Sequence, residues 1–187
     1  MVTHPRLFVV SGPSGAGKGT LIGIVRGLRP DLALTVSATT REPRAGEVDG
    51  VSYHFLSDDE FDARVAAGEF LEWASLFGHR YGTLRSEVET RLAAGSSIIL
   101  ELDVQGALNV RAAFPEAVLI FIQPPSRDEL ERRLRERGTE DEASIAERLG
   151  RVAEEIRIGE RYDVRIVNDD LDRASAELLD TIRTFEK

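Results

Sequence analysis

Apolar residues in this chain alternate between short runs and helical spacings. Leu7 to Val10 is a run of the kind that forms a buried strand; after a Gly-rich turn, the apolar positions from Thr20 to Leu28 recur at helical intervals. Ile98 to Leu102 and Val118 to Ile122 are two more such runs, each followed by a helical stretch, and Val164 to Val167 precedes a last one, Leu171 to Phe185. Short apolar strands separated by helices predict an α/β fold, a parallel sheet flanked by helices. Between Val36 and Ala94 the pattern changes to shorter, more polar strand-like pieces such as Ser52 to Phe55 and Phe70 to Trp73, punctuated by Gly46, Gly50, Gly68, Gly78 and Gly82. An inserted substrate-holding subdomain is expected there. Arg127 to Ile158 is two charge-rich helical stretches broken at Gly138-Thr139, and few of its residues look able to anchor it in a core, which suits a lid. The expectation is one domain over 1–187: a core of about 1–35, 95–125 and 160–187, an insert of about 36–94 and a lid of about 126–159.

Composition narrows the partners. With 187 residues, 42% apolar and 30% charged, the chain suits one globular domain. A net charge of −9 argues against a nucleic-acid polymer as ligand, because such binders need a basic stripe to displace counterions. Cysteine is absent, so there are no disulfides or thiolate metal sites, and a cytoplasmic setting is expected. No apolar run has the length of a membrane helix, and Met1 to Arg6 is not followed by a signal-like segment. His4, His54 and His79 are scattered without metal-ligand spacing.

The strongest motif is Gly12-Pro13-Ser14-Gly15-Ala16-Gly17-Lys18-Gly19-Thr20, the G-x-x-x-x-G-K spacing of a P-loop between a strand and a helix. Glycines let backbone N–H groups turn around phosphate oxygens, the helix presents its positive end, and Lys18 adds a point charge. A dinucleotide-binding loop is excluded by the glycine order and the lysine. Gly19 stands where many such loops carry the hydroxyl that ligates magnesium. Two readings stay open: Thr20 enters the Mg2+ shell, or the ion leans on nucleotide oxygens and water.

Other residues admit two readings each. Arg41 and Arg44, on a segment with Pro and Gly and near two tyrosines, suit a phosphate monoester or a solvated surface. Glu72, between Leu71 and Trp73, is on strand periodicity an outward-facing acid and otherwise a specific acceptor. Glu101 and Asp103 end an apolar run; on a strand both point to one side, as at a Walker-B position, or they are acids at a strand exit. Arg133 and Arg137 share one face of a helix and Arg148 follows on the next, a pattern that by itself reads as a solvated face with paired charges.

From about Arg6 to Phe185 the chain resembles guanylate kinases. The resemblance is carried by the loop and by Val36-Ser-Ala-Thr-Thr-Arg41-Glu-Pro-Arg44-Ala-Gly-Glu47, Gly50-Val-Ser-Tyr53-His-Phe55, Phe70-Leu-Glu72-Trp73, Tyr81-Gly82-Thr83, Glu101-Leu-Asp103-Val-Gln-Gly106, Arg137-Gly-Thr139 and Val167-Asn168-Asp169-Asp170. It implies a P-loop NTPase core, an inserted GMP-binding subdomain, a helical lid, and transfer of the ATP γ-phosphate to GMP with Mg2+ as cofactor. It further implies that Arg41, Arg44, Tyr53 and Tyr81 hold the GMP phosphate within a GMP-binding stretch that includes Glu47. Glu72 would accept from guanine N1–H and the 2-amino group, and Ser37 and Thr83 would take the other edge of the purine. Glu101 and Asp103 would orient the substrate arginines and the hydrated magnesium. Arg133, Arg137 and Arg148 would close over the ATP phosphates, with Asn168 near the adenine. Two alternatives stand beside this: a guanylate-kinase-like phosphopeptide-binding module, against which Lys18 and the lid arginines speak, and a kinase for a phosphorylated sugar, against which Glu72 and Ser37 speak.

Overall fold

The structure, a computed structural model, describes residues 4–76, 78–137 and 142–187 and, within them, every side chain but those of Leu76, Arg137, Ala143, Ser144 and Glu147. Along the chain the elements run β1 (Leu7–Ser11), α1 (Lys18–Leu28), β2 (Ala38–Thr39), β3 (His54–Phe55), α2 (Asp58–Ala66), β4 (Phe70–Leu76), β5 (His79–Leu84), α3 (Arg85–Ala93), β6 (Ile98–Glu101), α4 (Val104–Ala113), β7 (Val118–Gln123), α5 (Arg127–Arg137), α6 (Glu142–Gly159), β8 (Val164–Val167) and α7 (Leu171–Phe185).

The core is the expected parallel sheet, in the order β6-β1-β7-β8, with Val9 in register with Leu100 on one side and Leu119 on the other. Alternate residues of β1 feed two apolar layers. Phe8 and Val10 pack with Leu21 and Val25 of α1 and Leu178 and Ile182 of α7; Leu7 and Val9 pack with Val104, Ala107 and Val110 of α4. Covering both faces explains why β1 reads as a continuous apolar run rather than an alternation. Each such side chain removed from water contributes about 1.5–3 kcal/mol, so the strand is held firmly and fixes the loop that leaves its C-terminal end.

Residues 36–94 build a second sheet, β3-β2-β5-β4, with its own small apolar cluster of Ala38, Phe61, Phe70 and Leu84. Two helices, α2 and α3, stand in the region that sequence pattern renders as strand-like pieces only. Each buries a single residue fully, Phe61 and Val88 respectively, so no apolar stripe announces it. The readable signal for α2 is the capping box: Ser57 Oγ accepts from Glu60 N, and Glu60 accepts in return from Ser57 N.

The lid expectation needs one correction. Its helices α5 and α6 do have an anchor, a cluster of Leu130, Leu134, Ile145, Leu149 and Val152 that packs the two against each other. The high density of charge around these positions hides an apolar face that forms only when the two helices meet. The break expected at Gly138-Thr139 lies outside the described residues. No described helix is long and apolar enough to cross a membrane.

Candidate active site

The glycine loop leaves β1 and enters α1 as its spacing requires. Gly12 and Gly17 have φ of 143° and 89°, and a Cβ on Gly12 would sit 2.2 Å from the Ile122 carbonyl oxygen. Both positions therefore demand glycine, by backbone conformation and by close approach. Pro13 and Ala16 are buried, Ser14 and Gly15 half-buried. Lys18 is folded back on its own loop, donating to the Gly12 and Pro13 carbonyls at 2.7 and 3.0 Å. Burial pulls its pKa down, against the pull of Glu101, Glu155 and Asp103. Glu155, on α6, is the participant that sequence reasoning missed; half-buried, with its own pKa raised by burial, it brings a lid carboxylate within electrostatic reach of Lys18. Its only sequence signal is that it follows Arg148 by seven residues, hence on the same helical face.

Gly19 and Thr20 are exposed, and a Cβ on Gly19 would lie 3.2 Å from Glu101 Oε2. A side chain at position 19 would press on that carboxylate. The hard oxygens nearby belong to Thr20, three residues into the N-terminal region of α1, and to Glu101, and among the described residues no group of three or more His, Cys, Asp or Glu could hold a metal. Such a donor set fits magnesium that keeps most of its shell from phosphate oxygens and water, and fits no fully protein-caged ion.

The pairing of Glu101 and Asp103 is corrected. Glu101 ends β6, whereas Asp103 has left the strand to cap α4, where its Oδ1 accepts from Gly106 N at 2.7 Å. The strand rule that puts both on one side stops at Glu101.

Glu72 overturns the outward reading. It is 8% exposed, and Thr83 Oγ1 donates to its Oε1 at 2.7 Å. The register of β4 against β5 shifts between Phe70 and Glu72, a bulge that breaks the two-residue alternation. Phe70, Leu71 and Glu72 are consequently all buried. Burial raises the pKa of Glu72, the Thr83 hydroxyl opposing this. Ser37 and Thr83, with Gly19, Glu101, Ile22 and Leu34, line a cavity of about 350 Å³ beside the loop.

Arg41 is ordered by its neighbours. Its guanidinium donates to Glu47 Oε1 at 2.8 Å and to the Glu42 carbonyl at 2.6 Å, and sits 5.5 Å from the centre of the Tyr53 ring. The Tyr53 and Tyr81 rings meet edge to face at 6.1 Å. Glu47 also accepts from Arg44 N at 2.7 Å, and its carboxylate pKa is lowered, chiefly by Arg41. Arg44 is exposed. Arg41 and the two tyrosines thus gather beside the second sheet, with Glu47 linking Arg41 to the Arg44 backbone.

The lid lies on the loop. Arg148 Nη1 donates to Ser14 Oγ, and Leu130 and Leu134 would each be 3.0 Å from a Cβ on Gly15. Arg133 donates to Glu129 at 2.8 Å and to the Asn168 carbonyl at 3.0 Å. Arg137 closes α5, and its side chain is outside the described residues. Asn168 is 2% exposed, with its Nδ2 donating to the Ala16 carbonyl at 2.8 Å.

The geometry therefore offers an anion cradle, a buried carboxylate able to accept two adjacent N–H groups, an arginine–tyrosine patch and a cationic cover. The family model described as guanylate kinase matches residues 4–185. A guanylate kinase of a Synechococcus strain is 51% identical over 178 residues, covering 95% of this chain and 95% of its own length. One from Thermosynechococcus vestitus is 52% identical over 169 residues, 90% of this chain and 88% of its own. The crystal structure of guanylate kinase from Anaplasma phagocytophilum superposes with a TM-score of 0.72 at 32% identity, covering 98% of this chain and 87% of that one.

Proposed function

The chain belongs to the guanylate kinase family, and on that premise we propose that the loop, the Glu72–Thr83 pair and the two lid helices bound one active site with divided roles. The protein is an ATP:GMP phosphotransferase: an oxygen of the GMP phosphate bonds to the γ-phosphorus of ATP as the bond from that phosphorus to the β-bridging oxygen breaks, giving GDP and ADP.

Glu72 is the observation that carries the choice of acceptor. A buried carboxylate, in its ionised form, matches the adjacent N1–H and 2-amino donors of guanine, and faces a lone pair in adenine. Thr83 holds one of its oxygens, and with Ser37 takes the far edge of the purine. Arg41, Arg44, Tyr53 and Tyr81 grip the acceptor phosphate, with Glu47 keeping the Arg41 fork in place. Residues 12–20 cradle the ATP phosphates. Lys18, already within reach of the loop, exchanges two carbonyl contacts for phosphate oxygens. Arg133, Arg137 and Arg148 cover the transferring group and exclude water. Magnesium, when bound with ATP, would neutralise phosphate charge; Thr20 would be the side chain to hold it, and Glu101 and Asp103 would help orient its hydration shell. The division into core, GMP-binding region and lid is supported by separate apolar packing: two layers on the core sheet, one cluster in the insert and one between the lid helices. The reading places the protein in the cytoplasm, where its nucleotide substrates are.

Phosphate transfer to GMP, AMP and ribose 5-phosphate, measured in parallel, tests it. Preference for GMP is expected, and equal transfer to AMP or to the sugar phosphate would overturn it.

A further inference from the structure

Asn168 follows β8 and is invited by its place in the fold to read the donor base. Its side-chain contacts run instead to the phosphate loop. The side chain is 2% exposed and turned away from solvent into the back of the phosphate loop, where Nδ2 donates to the Ala16 carbonyl at 2.8 Å. A loop that turns its N–H groups inward to phosphate must send carbonyls outward, and a buried carbonyl without a donor is costly. Ala16 is fully buried, so Asn168 supplies a donor that water has little room to supply. The fit is tight: a Cβ on Gly17 would meet Asn168 Nδ2 at 2.3 Å.

The same residue is tied in two other directions. Its N–H donates to the Gln123 carbonyl at 2.8 Å, continuing the parallel pairing of β7 with β8 and fixing it to the core sheet. Its own carbonyl accepts from Arg133 Nη2 at 3.0 Å, while Arg133 Nε is held by Glu129 at 2.8 Å. An unbroken path therefore runs from the loop carbonyl of Ala16, through the amide and main chain of Asn168, to a guanidinium of the lid.

We propose that Asn168 is a positioning residue that sets the distance between the phosphate loop and the lid arginine Arg133, and that it does not recognise the base of the donor nucleotide. This rests on the reading of the loop and Arg133 as the ATP phosphate site, and refines the place given to Asn168 within it. Removal of the amide frees the Ala16 carbonyl and loosens the carbonyl that Arg133 grips, so both walls of the phosphate site shift together. A misplacement of about 1 Å at such a site costs up to ~100-fold in rate.

The test is Asn168→Ala, assayed with ATP and with GTP as donors to saturating GMP. Turnover should fall at least ~10-fold, as for loss of a buried hydrogen-bond partner, and by the same factor with both donors, leaving the ATP-to-GTP ratio of kcat/KM unchanged. A base reader would move that ratio. A second arm leaves Asn168 in place and serves even if the alanine variant fails to fold. Arg133→Ala in the nucleotide-free protein should speed amide exchange at Ala16 and Leu21, whose N–H groups bond to the Pro13 and Gly17 carbonyls. A changed donor ratio, or unaltered loop exchange in Arg133→Ala, overturns the proposal. If the native chain failed to phosphorylate GMP, the functional reading would fall instead, and the exchange arm would still decide this one.

Discussion

Replacing Glu72 by glutamine is the most informative single perturbation. It keeps the size and shape of the side chain, so the buried position between β4 and α4 stays filled, and it removes only the charge and one acceptor. Thr83 Oγ1 donates to Oε1, while Oε2 lies against Gly106, 3.5 Å from its Cβ position. If the amide oxygen keeps the Thr83 bond, the NH2 group faces the two N–H donors of guanine. One charge-assisted hydrogen bond, worth about 1.5–3 kcal/mol, is lost, and buried donors left unpaired cost about 1–3 kcal/mol more. The sum, ~2.5–6 kcal/mol, corresponds to a loss of roughly 10²–10⁴ in kcat/KM for GMP. AMP gains or holds, because the repulsion between the carboxylate and adenine N1 is gone. ADP release with GMP and AMP as acceptors measures both, and the GMP-to-AMP ratio should shrink. Burial raises the pKa of Glu72, so kcat/KM for GMP in the native enzyme should fall as pH drops through a value above the ordinary 4.5. The variant should lack that limb. Stability runs the other way: a carboxyl with a raised folded-state pKa loses stability as pH climbs from 4.5 through that folded value. Glu72→Gln should thus unfold at the same or higher temperature than the native protein at pH 7, with the difference vanishing in acid. Retention of both the native rate with GMP and full discrimination against AMP would refute the reasoning.

Three further outcomes follow from the same geometry. Lys18→Met should lose at least ~100-fold in turnover, the usual weight of one preorganised charge, while GMP still binds; near-normal turnover would remove the loop from the mechanism. A bisubstrate analogue should slow amide exchange in Arg127 to Ile158 more than elsewhere, with α5 and α6 responding as one unit because they share a core; unchanged protection would make the segment a static charged surface. Leu134→Ala, at a position 1% exposed that touches both that core and Gly15, should cost about 2–5 kcal/mol locally. Its KM for ATP should rise while equilibrium binding of GMP is unchanged, and equal KM values would separate the lid packing from the loop.

The parts of this protein that are legible in its sequence are those governed by local rules. A glycine loop with a lysine, placed between an apolar run and a helical spacing, is determined by backbone sterics and peptide dipoles within a dozen residues, and β1, α1 and the parallel sheet follow from the same short-range patterning. Short capped helices such as α2 were written there too, in Ser57 and Glu60, though without an apolar stripe to advertise them. What lay beyond local rules was decided by tertiary structure. Glu72 is buried because a bulge opposite β5 breaks its alternation, and pairing partners, unlike periodicity, are distant in sequence. The lid is anchored because leucines dispersed among arginines on two helices meet only once both have folded. Asp103 is a helix cap because β6 stops two residues before it. Asn168 turns inward because Ala16, 152 positions away along the chain, has a buried carbonyl that needs a donor. The physical reason is common to all four. Sequence fixes which conformations and polarities are cheap at each residue, whereas burial and hydrogen-bond satisfaction depend on neighbours that only the completed fold brings within reach.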